Sequence, residues 1–527
     1  MKKLISLLVI CALVLSLGAC TFSANNTKFT IGVLDSVVVL DPLFADNSSE
    51  KIVASNCFEG LLRFDSAGKI DLAGATGYTA DKSGLKYTFK LNPDAVWYVC
   101  DGAATLMESS GLTDFDARIT ADDYIYGIQR YILNSATQLL TIKGASEFQD
   151  GTKDSVVGLK AVDDFTLEIT LSKIDTDFLY KLASFPIYPC DKDFCDALDS
   201  IFCSTPTTTL YNGPYYVKEH TAAQTILERN PDYSSNIQIG NKTITLYSTG
   251  KADTLISRFN EGNYDLVLTP DTNVIENSTA ASTSPSSIWG IAFNCESENG
   301  SDTQIRTLLA STINYDKITL PDFALSKAET IIPGIYGVHN DVYASFEPAM
   351  VTAPAADKDS VARLDAILKK LGTDTLTVRF SVPVELESSA EAIIKDWQKL
   401  FGEKLTINLD TFEADEFADI ASNSYDLAIL PITPDMRTAA SVVNKLSDFP
   451  CYYINKDITQ KLKKPQPTAK NAAADFMEIE KTLSQNAVFV PLFYSGASLY
   501  LGESIEGMYI ADGGNALYFY SGVLVEE

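Results

Sequence analysis

Between residues 212 and 233 the chain reads NGPYYVKEHTAAQTILERNPDY, and its apolar and polar positions set out a β-hairpin. An Asn-Gly-Pro turn opens it, YYVKEH and QTILER form two apolar-rich strands around a short polar turn, and NPDY closes it with a second turn signal. The same alternation predicts a strand over residues 85–97, ending at Trp97, and a hairpin over 156–172 that turns at Asp163 and Asp164. Helices show the longer period. Thr120 is a natural N-cap, with Asp122 and Asp123 in the first turn and Tyr124, Ile128, and Tyr131 or Ile132 at helical spacing. Val361, Leu364, Ile367, Leu368 and Leu371 form one apolar face closed by Gly372, after which LTVRFSV alternates as a strand. Ser388 with Glu391 makes a capping box for a helix carrying Ile394, Trp397 and Phe401 and ended by Gly402, which places Trp397 in a core. Residues 301–317 predict a helix with Ile305, Leu308, Leu309 and Ile313 inward. Phe476, Ile479 and Leu483 mark a further helix, leading into a strand through Pro491.

Two segments repeat each other. Residues 242–268 read strand, helix, strand and then TPD; residues 404–435 read strand, helix, strand and then PITPD. Each is a βαβ crossover, which predicts parallel pairing of its strands with a right-handed connection. The last strand of each is a continuous apolar run, as a strand covered on both faces should be. Two lobes of similar α/β build follow.

The chain has 527 residues with 46% hydrophobic content, so it is globular and needs more than one packed body. Its net charge of −28 excludes the phosphate-neutralising surface that nucleic-acid binding requires. Lys2 and Lys3, an apolar run from Leu4 to Leu17 and the Leu-Gly-Ala-Cys ending at Cys20 have the layout of a signal peptide. The run is too short to span a membrane, and a Cys directly after small residues resembles a bacterial lipobox, whose thiol is lipidated before cleavage. Cys20 would then anchor the protein outside the cytoplasm; the alternative is a cleaved secretory peptide with an incidental Cys. Seven cysteines remain once Cys11 is cleaved off and Cys20 lipidated, so one at least is unpaired. Cys190, Cys195 and Cys203 cluster in sequence and either fill apolar gaps or form one disulfide. Of titratable chemistry there is little: His220 and His339 are the only histidines, and there is no HExxH, GxSxG or P-loop. These absences count against a hydrolase, and no pair of carboxylates stands out in so acidic a chain. No catalytic residue, metal ligand or cofactor is expected.

The GPY strand followed by a strand ending in RNPxY resembles the oligopeptide-binding family of solute-binding proteins that serve peptide-importing ABC transporters. Further matches are the LDP triplet after DSVVV, NCFEGLLRFDSAGKI, Thr120-Ala121-Asp122-Asp123, VVGLKAVDDFTLEITLS and the C-terminal helix and strand. The resemblance covers nearly the whole chain after the signal, and is weakest over 321–358 and 436–470. CDGAATLMESSGLTDFDAR, ahead of Thr120, is an insertion relative to the family pattern.

The resemblance implies an α/β, two-lobed, periplasmic-binding-protein-like type II fold with an extra domain inserted in the first lobe. Residues 1–19 would be the signal and 20–28 the lipidated tether. Lobe I would gather 29–50, 185–285 and 492–527, the inserted domain would be 51–184, and 286–491 would be lobe III. Two crossing strands, near 284–290 and 489–495, would form the hinge. In this family a Gly-Trp-x-x-Asp segment supplies an Asp that pairs with the peptide's α-amino group. Pro431-Ile432-Thr433-Pro434-Asp435 keeps that acid in register without the Gly and Trp, so Asp435 is either this ligand or a turn cap after Pro434. The expected ligand-binding residues are Asp435 with Thr433 and Ile432, Trp289 beside the first crossing, and Val38 and Val39 ahead of the LDP triplet. The implied partners are an oligopeptide and the permease subunits of an ABC transporter, met by a lipid-anchored monomer on the outer face of the cytoplasmic membrane. Alternatives within the fold are a sugar or metal-chelate binder, against which stand few aromatic platforms and few histidines, and a peptide sensor without a transporter.

Overall fold

The computed structural model of the chain describes residues 28–524 apart from 135–136, 235–236, 238, 271–279, 349–358, 414–424, 447–465, 467, 503–504, 512–515 and 520–522. The signal segment, Cys20, residues 21–27 of the tether, Asp271, Cys451 and most of the helix expected in the second repeat lie outside the described residues.

Strand β1 (Lys28–Val33) starts the first lobe and is followed by helix α1 (Ser48–Cys57). Helix α1 has a full capping box between Asn47 and Glu50, and its Ile52, Val53 and Cys57 pack in one core with Phe29, Ile31, Tyr215 and Leu227. The chain then builds a separate antiparallel sheet from β2 (Ala75–Ala80), β3 (Lys86–Leu91), β4 (Leu159–Asp163) and β5 (Thr166–Thr170), in the order β2-β3-β5-β4. Helix α2 (Ala121–Asn134) covers that sheet with Tyr124, Ile128, Tyr131 and Ile132, the face read from the sequence. Its entry is fixed by Asp123, whose carboxylate accepts from both the amide and the hydroxyl of Thr120, at 2.7 and 2.9 Å. The inserted CDGAATLMESSGLTDFDAR segment forms a short helix, Asp101–Ser109.

The predicted hairpin, β6 (Tyr215–His220) and β7 (Gln224–Arg229), lies at one end of the large sheet. Its flanking turns hold the separate sheet's body to the first lobe. The Asn212 carboxamide accepts from the Glu59 amide (3.0 Å) and donates to the Glu59 carbonyl (2.7 Å), while Tyr233 donates to the Glu59 carboxylate (2.8 Å). A Cβ on Gly213 would stand 2.5 Å from the Cys57 carbonyl carbon, so only glycine allows this backbone approach. Asn230 closes the frame by donating to the Gly213 carbonyl at 2.9 Å.

The first repeat supplies β8 (Thr243–Ser248), α3 (Ala252–Asn260) and β9 (Leu266–Thr269). After strand β10 (Ser282–Phe293) come α4 (Thr303–Ser311), α5 (Ser360–Leu371), β11 (Leu376–Pro383), α6 (Glu387–Phe401), β12 (Leu405–Phe412), β13 (Leu427–Ile432), α7 (Ala439–Leu446), α8 (Ala469–Gln485) and β14 (Phe489–Leu501). One 11-stranded sheet joins them in the order β12-β11-β13-β10-β14-β9-β1-β8-β7-β6, with Ala324–Lys327 on β14 as the eleventh. Here the expectation from the repeats is corrected: β8 and β9 do not pair with each other but lie parallel on either side of β1, and β12 and β13 flank β11 in the same way. The two halves therefore share a plan, a parallel triplet whose middle strand comes from elsewhere in the chain.

Between the triplets run β10 and β14, antiparallel from Ser282 opposite Leu499 to Ala292 opposite Phe489, with register breaks between Pro285 and Ser287 and between Trp289 and Gly290. At the crossing a Cβ on Gly496 would stand 2.1 Å from the Ser284 carbonyl oxygen, so this close approach also depends on glycine. Trp397 is fully buried and donates to the Thr312 hydroxyl at 3.0 Å, the core role read from the sequence. The Ser388 capping box does not form: a 3-10 turn over Val384–Leu386 leads straight into α6 at Glu387 and leaves Ser388 inside the first turn. The helix over 301–317 is shorter than predicted, α4 giving way after Ser311 to a separate 3-10 turn at Tyr315–Lys317 that Asn314 caps.

Two tests follow from this framework. Removing the Asn212 side chain orphans the partly buried amide and carbonyl of Glu59, and each such group costs about 1–3 kcal/mol when left without a partner. Asn212→Ala should therefore lower unfolding free energy by roughly 2–4 kcal/mol in urea titrations; an unchanged midpoint would contradict the clamp. Glu480 on α8 is buried and accepts from the Ile332 amide at 2.8 Å and from the Tyr343 hydroxyl. Burial pushes its carboxyl up to about 7 from an ordinary 4.5, and these donors only partly offset it. Between those two pH values the folded chain holds a proton that the unfolded chain has lost, so stability falls as pH rises across the window. Against wild type, Glu480→Gln should gain on the order of 2–3 kcal/mol in relative stability from pH 4.5 to 7.5, and parallel profiles would contradict the buried acid.

Candidate functional site

Parallel strands aim their carboxyl ends at one side of a sheet, where α/β proteins place ligands. Here β1, β9 and β13 end at the interval between the lobes. A cavity of about 300 Å3 follows β1 and β9, lined by Leu34, Asp35, Thr269, Pro270 and Phe323. A second, of about 450 Å3, follows β13, with Thr433 to Arg437 on one wall and Lys51, Phe64, Phe185 and Tyr188 on the other. Ser286, at the register break of β10, borders both, so the two are parts of one cleft over the crossing strands.

The wall formed by residues 433–438 is fixed from behind. The Thr433 and Ser287 hydroxyls are 2.8 Å apart, the Met436 amide donates to Ser441 Oγ (3.2 Å), and the Ser441 amide donates to Thr438 Oγ1 (3.1 Å). The Gly337 amide donates to the Arg437 carbonyl at 2.7 Å. The Asp435 side chain is 75% exposed and stands 3.8 Å from Lys445 Nζ, a loose surface pair. Arg437 is its opposite, only 6% exposed. Its guanidinium lies 5.4 Å from the centre of the Tyr336 ring. The 51–184 stretch touches the second half of the molecule through Thr438 Oγ1 donating to Asp177 (3.2 Å) and through Lys69 paired with Asp341 (2.8 Å).

The residues read from the sequence divide three ways. Thr433 and Asp435 line the larger cavity. Ile432 is 1% exposed and belongs to the core beneath it. Trp289 stacks on Phe493 at 5.7 Å and donates its indole N–H to Ser495 Oγ at 2.8 Å, while Phe323, 5.5 Å away, faces the smaller cavity. The amides of Val38 and Val39 both donate to Glu50 Oε1 at 3.0 Å, and the Val38 side chain is exposed. Burial alone would raise the Glu50 carboxyl; the amides of Asp46, Val38, Val39 and Asn47 outweigh it and hold it below its usual range. Lys51, Phe185, Tyr188 and Arg437 are wall residues that the sequence reading passed over, although FPIYP (185–189) and the lone Arg two places after Asp435 were visible signals. Among the described residues no group of three His, Cys, Asp or Glu could hold a metal ion, and no disulfide joins Cys57, Cys100, Cys190, Cys195 and Cys203.

Two α/β lobes on a shared sheet, with a cleft at the carboxyl ends of both parallel triplets, define a periplasmic-type solute-binding fold. The chain belongs to the bacterial extracellular solute-binding proteins, family 5, whose model for the middle region matches residues 69–449. It is 27% identical over 264 residues to the oligopeptide-binding protein AmiA of Streptococcus pneumoniae serotype 4, a stretch that is 47% of this chain and 38% of that protein. The chain thus spans less than half the length of this relative. It is also 23% identical over 489 residues to the probable deoxycholate-binding periplasmic protein YgiS of Escherichia coli, covering 86% of this chain and 85% of that one. Among solved structures it superposes on the unliganded open form of the periplasmic murein tripeptide binding protein MppA with a TM-score of 0.77, at 20% identity over 95% of this chain and 98% of that one. Among the described residues no helix is long and apolar enough to cross a membrane.

Proposed function

We propose that the protein captures peptides in the cleft between its lobes and hands them to an ABC-transporter permease, held at the outer face of the cytoplasmic membrane by a lipid on Cys20. The observation that carries this reading is the cleft: the smaller cavity lies over β10 and β14, the strands common to the two halves of the sheet, and the larger one meets it at Ser286 of β10. A peptide there meets hydroxyls and carbonyls from both halves, and main-chain pairing gives affinity without reading sequence. Bending at the register breaks of β10 would bring the walls together, the hinge closure by which two-lobed binders bury a ligand. AmiA and MppA, both named for peptides, support the ligand class. Binding without turnover fits a cleft whose acids and bases are not arranged as a nucleophile and its activator.

A second reading is a non-peptide solute. The relative matched along most of the chain is named for deoxycholate, and Phe64, Phe185 and Tyr188 give the larger cavity an aromatic wall. The two readings part at Asp435. In the peptide reading its exposed carboxylate waits for the free α-amino group and is buried with it on closure. Breaking one partner of such a pair costs roughly 2–5 kcal/mol. Asp435→Asn should therefore weaken free peptides by on the order of a hundredfold in calorimetry, and N-acetylated peptides should bind wild type poorly and be little affected by the substitution. Acetylated and free peptides binding wild type alike would make Asp435 a turn residue; no peptide binding at all would favour the second reading.

A further inference from the structure

Cys190 and Cys195 meet across the first turn of a short helix, Lys192–Leu198. Asp191 caps that helix by accepting from the Phe194 amide at 2.7 Å, which sets Cys190 just ahead of the cap and Cys195 in the turn after it. Side chains at those two positions lie against each other, and helices commonly fill them with an apolar pair. Here both are thiols, and the Cys190 S–H is hydrogen-bonded to the Cys195 sulfur, with the Asp191 carbonyl, 3.9 Å away, as the competing acceptor. Cys195 is half-buried, whereas Cys190 and Cys203 are buried. The Tyr126 hydroxyl on α2 donates to the Cys195 sulfur. One turn further along α2, the Arg130 guanidinium donates to Cys190 Sγ at 3.9 Å and pairs with Asp41 at 2.7 Å. The hydrogen bond from Cys190, joined by that from Tyr126 and by the charge of Arg130, outweighs burial and the nearby Asp196 and draws the Cys195 thiol below its ordinary range. The same bond, with burial, pushes the Cys190 thiol up, so one sulfur is favoured as thiolate and the other as thiol. Cys57 and Cys203 are the contrasting case, where burial pushes the thiol up with no such partner to reverse it. In sulfur exchange the thiolate attacks, and a thiol beside it resolves the product.

We infer that Cys190 and Cys195 form a redox-active dithiol, with Cys195 as the attacking sulfur, Cys190 as the resolving one and low-molecular-weight disulfides as the oxidant. The Cys195 thiolate displaces one half of a disulfide RSSR, which forms a mixed disulfide and releases RS−. Cys190 then gives its proton to solvent, and its sulfur attacks that of Cys195, closing the Cys190–Cys195 bond and releasing the second RS−. The two cysteines lose two electrons and RSSR gains them. The loop so closed holds six residues, and so short a loop constrains the unfolded chain little, which suits a reversible bond better than a structural staple. This chemistry is independent of what the cleft binds.

The test takes the whole mature protein, reduced and then freed of reductant, into a buffer of equal reduced and oxidised glutathione, quenches it in acid and maps the cysteines by mass spectrometry. Trypsin cuts after Lys192, so a Cys190–Cys195 bond joins two peptides that part on reduction, and fragmentation locates it. Most wild-type chains should carry that bond, with Cys57 and Cys203 still thiols. Cys190→Ser should stop at a mixed disulfide between Cys195 and glutathione, and Cys195→Ser should leave Cys190 reduced. Before oxidation, iodoacetamide should modify Cys195 of the native protein about tenfold or more faster than Cys190. Wild type in which both sulfurs stay reduced overturns the inference, as does a bond from either of them to Cys203. A glutathione adduct that forms on Cys190 in Cys195→Ser, with none on Cys195 in Cys190→Ser, overturns the assigned roles. The wild-type map and alkylation rates decide the pair even if a substitution fails to fold.

Discussion

The candidate cleft depends on the antiparallel pairing of β10 with β14. These two strands, 12 and 13 residues long, are shared by both halves of the sheet. Each half hangs on one of them, β13 on β10 and β9 on β14, so the relative setting of the halves is set by the geometry of a single pair. The pairing is tight at Gly496 and irregular at Pro285–Ser287 and at Trp289–Gly290. A strand pair bends where its ladder is interrupted, because the interrupted residues give up fewer hydrogen bonds on rotation. Ser286, at the first of these breaks, and Gly496 border the cleft.

The charges about the cleft differ in how far they are committed. Glu50 is satisfied by four backbone amides and only shapes the entry of α1. Asp435 is solvated and loosely paired, so recruiting it to a ligand costs little in the free protein. Arg437 is buried against Tyr336, with Nε and Nη2 lacking a hydrogen-bond partner among the described residues.

Much of the local structure was legible in the residues themselves. The 212–233 hairpin, the Thr120 cap, the closing Gly372 and the core position of Trp397 all follow from short-range pattern, and each is found. What the pattern could not supply is order within the sheet. The strands of each repeat are separated by β1 or β11, and those insertions are decided by pairing beyond the repeat itself, Lys28 with Thr243 in one case and Leu376 with Leu405 in the other. Ser388 shows the same limit on a smaller scale: its capping signature is sound, but the turn at Val384–Leu386 starts the helix at Glu387, ahead of the predicted cap. At the candidate site, Thr433 and Asp435 were within reach because they follow an apolar strand. Arg437 was visible as a lone basic residue, but its burial against Tyr336 is a tertiary fact that the local pattern does not carry.

The account's central claim is that two lobes sharing β10 and β14 close on a ligand held between them. Small-angle X-ray scattering of the mature protein, without ligand and with a peptide whose binding has been established by calorimetry, tests it most directly. Closure about the crossing strands predicts a smaller radius of gyration and a shorter maximum dimension in the complex. A radius of gyration unchanged at saturating peptide would contradict it, and would make the cleft a rigid groove.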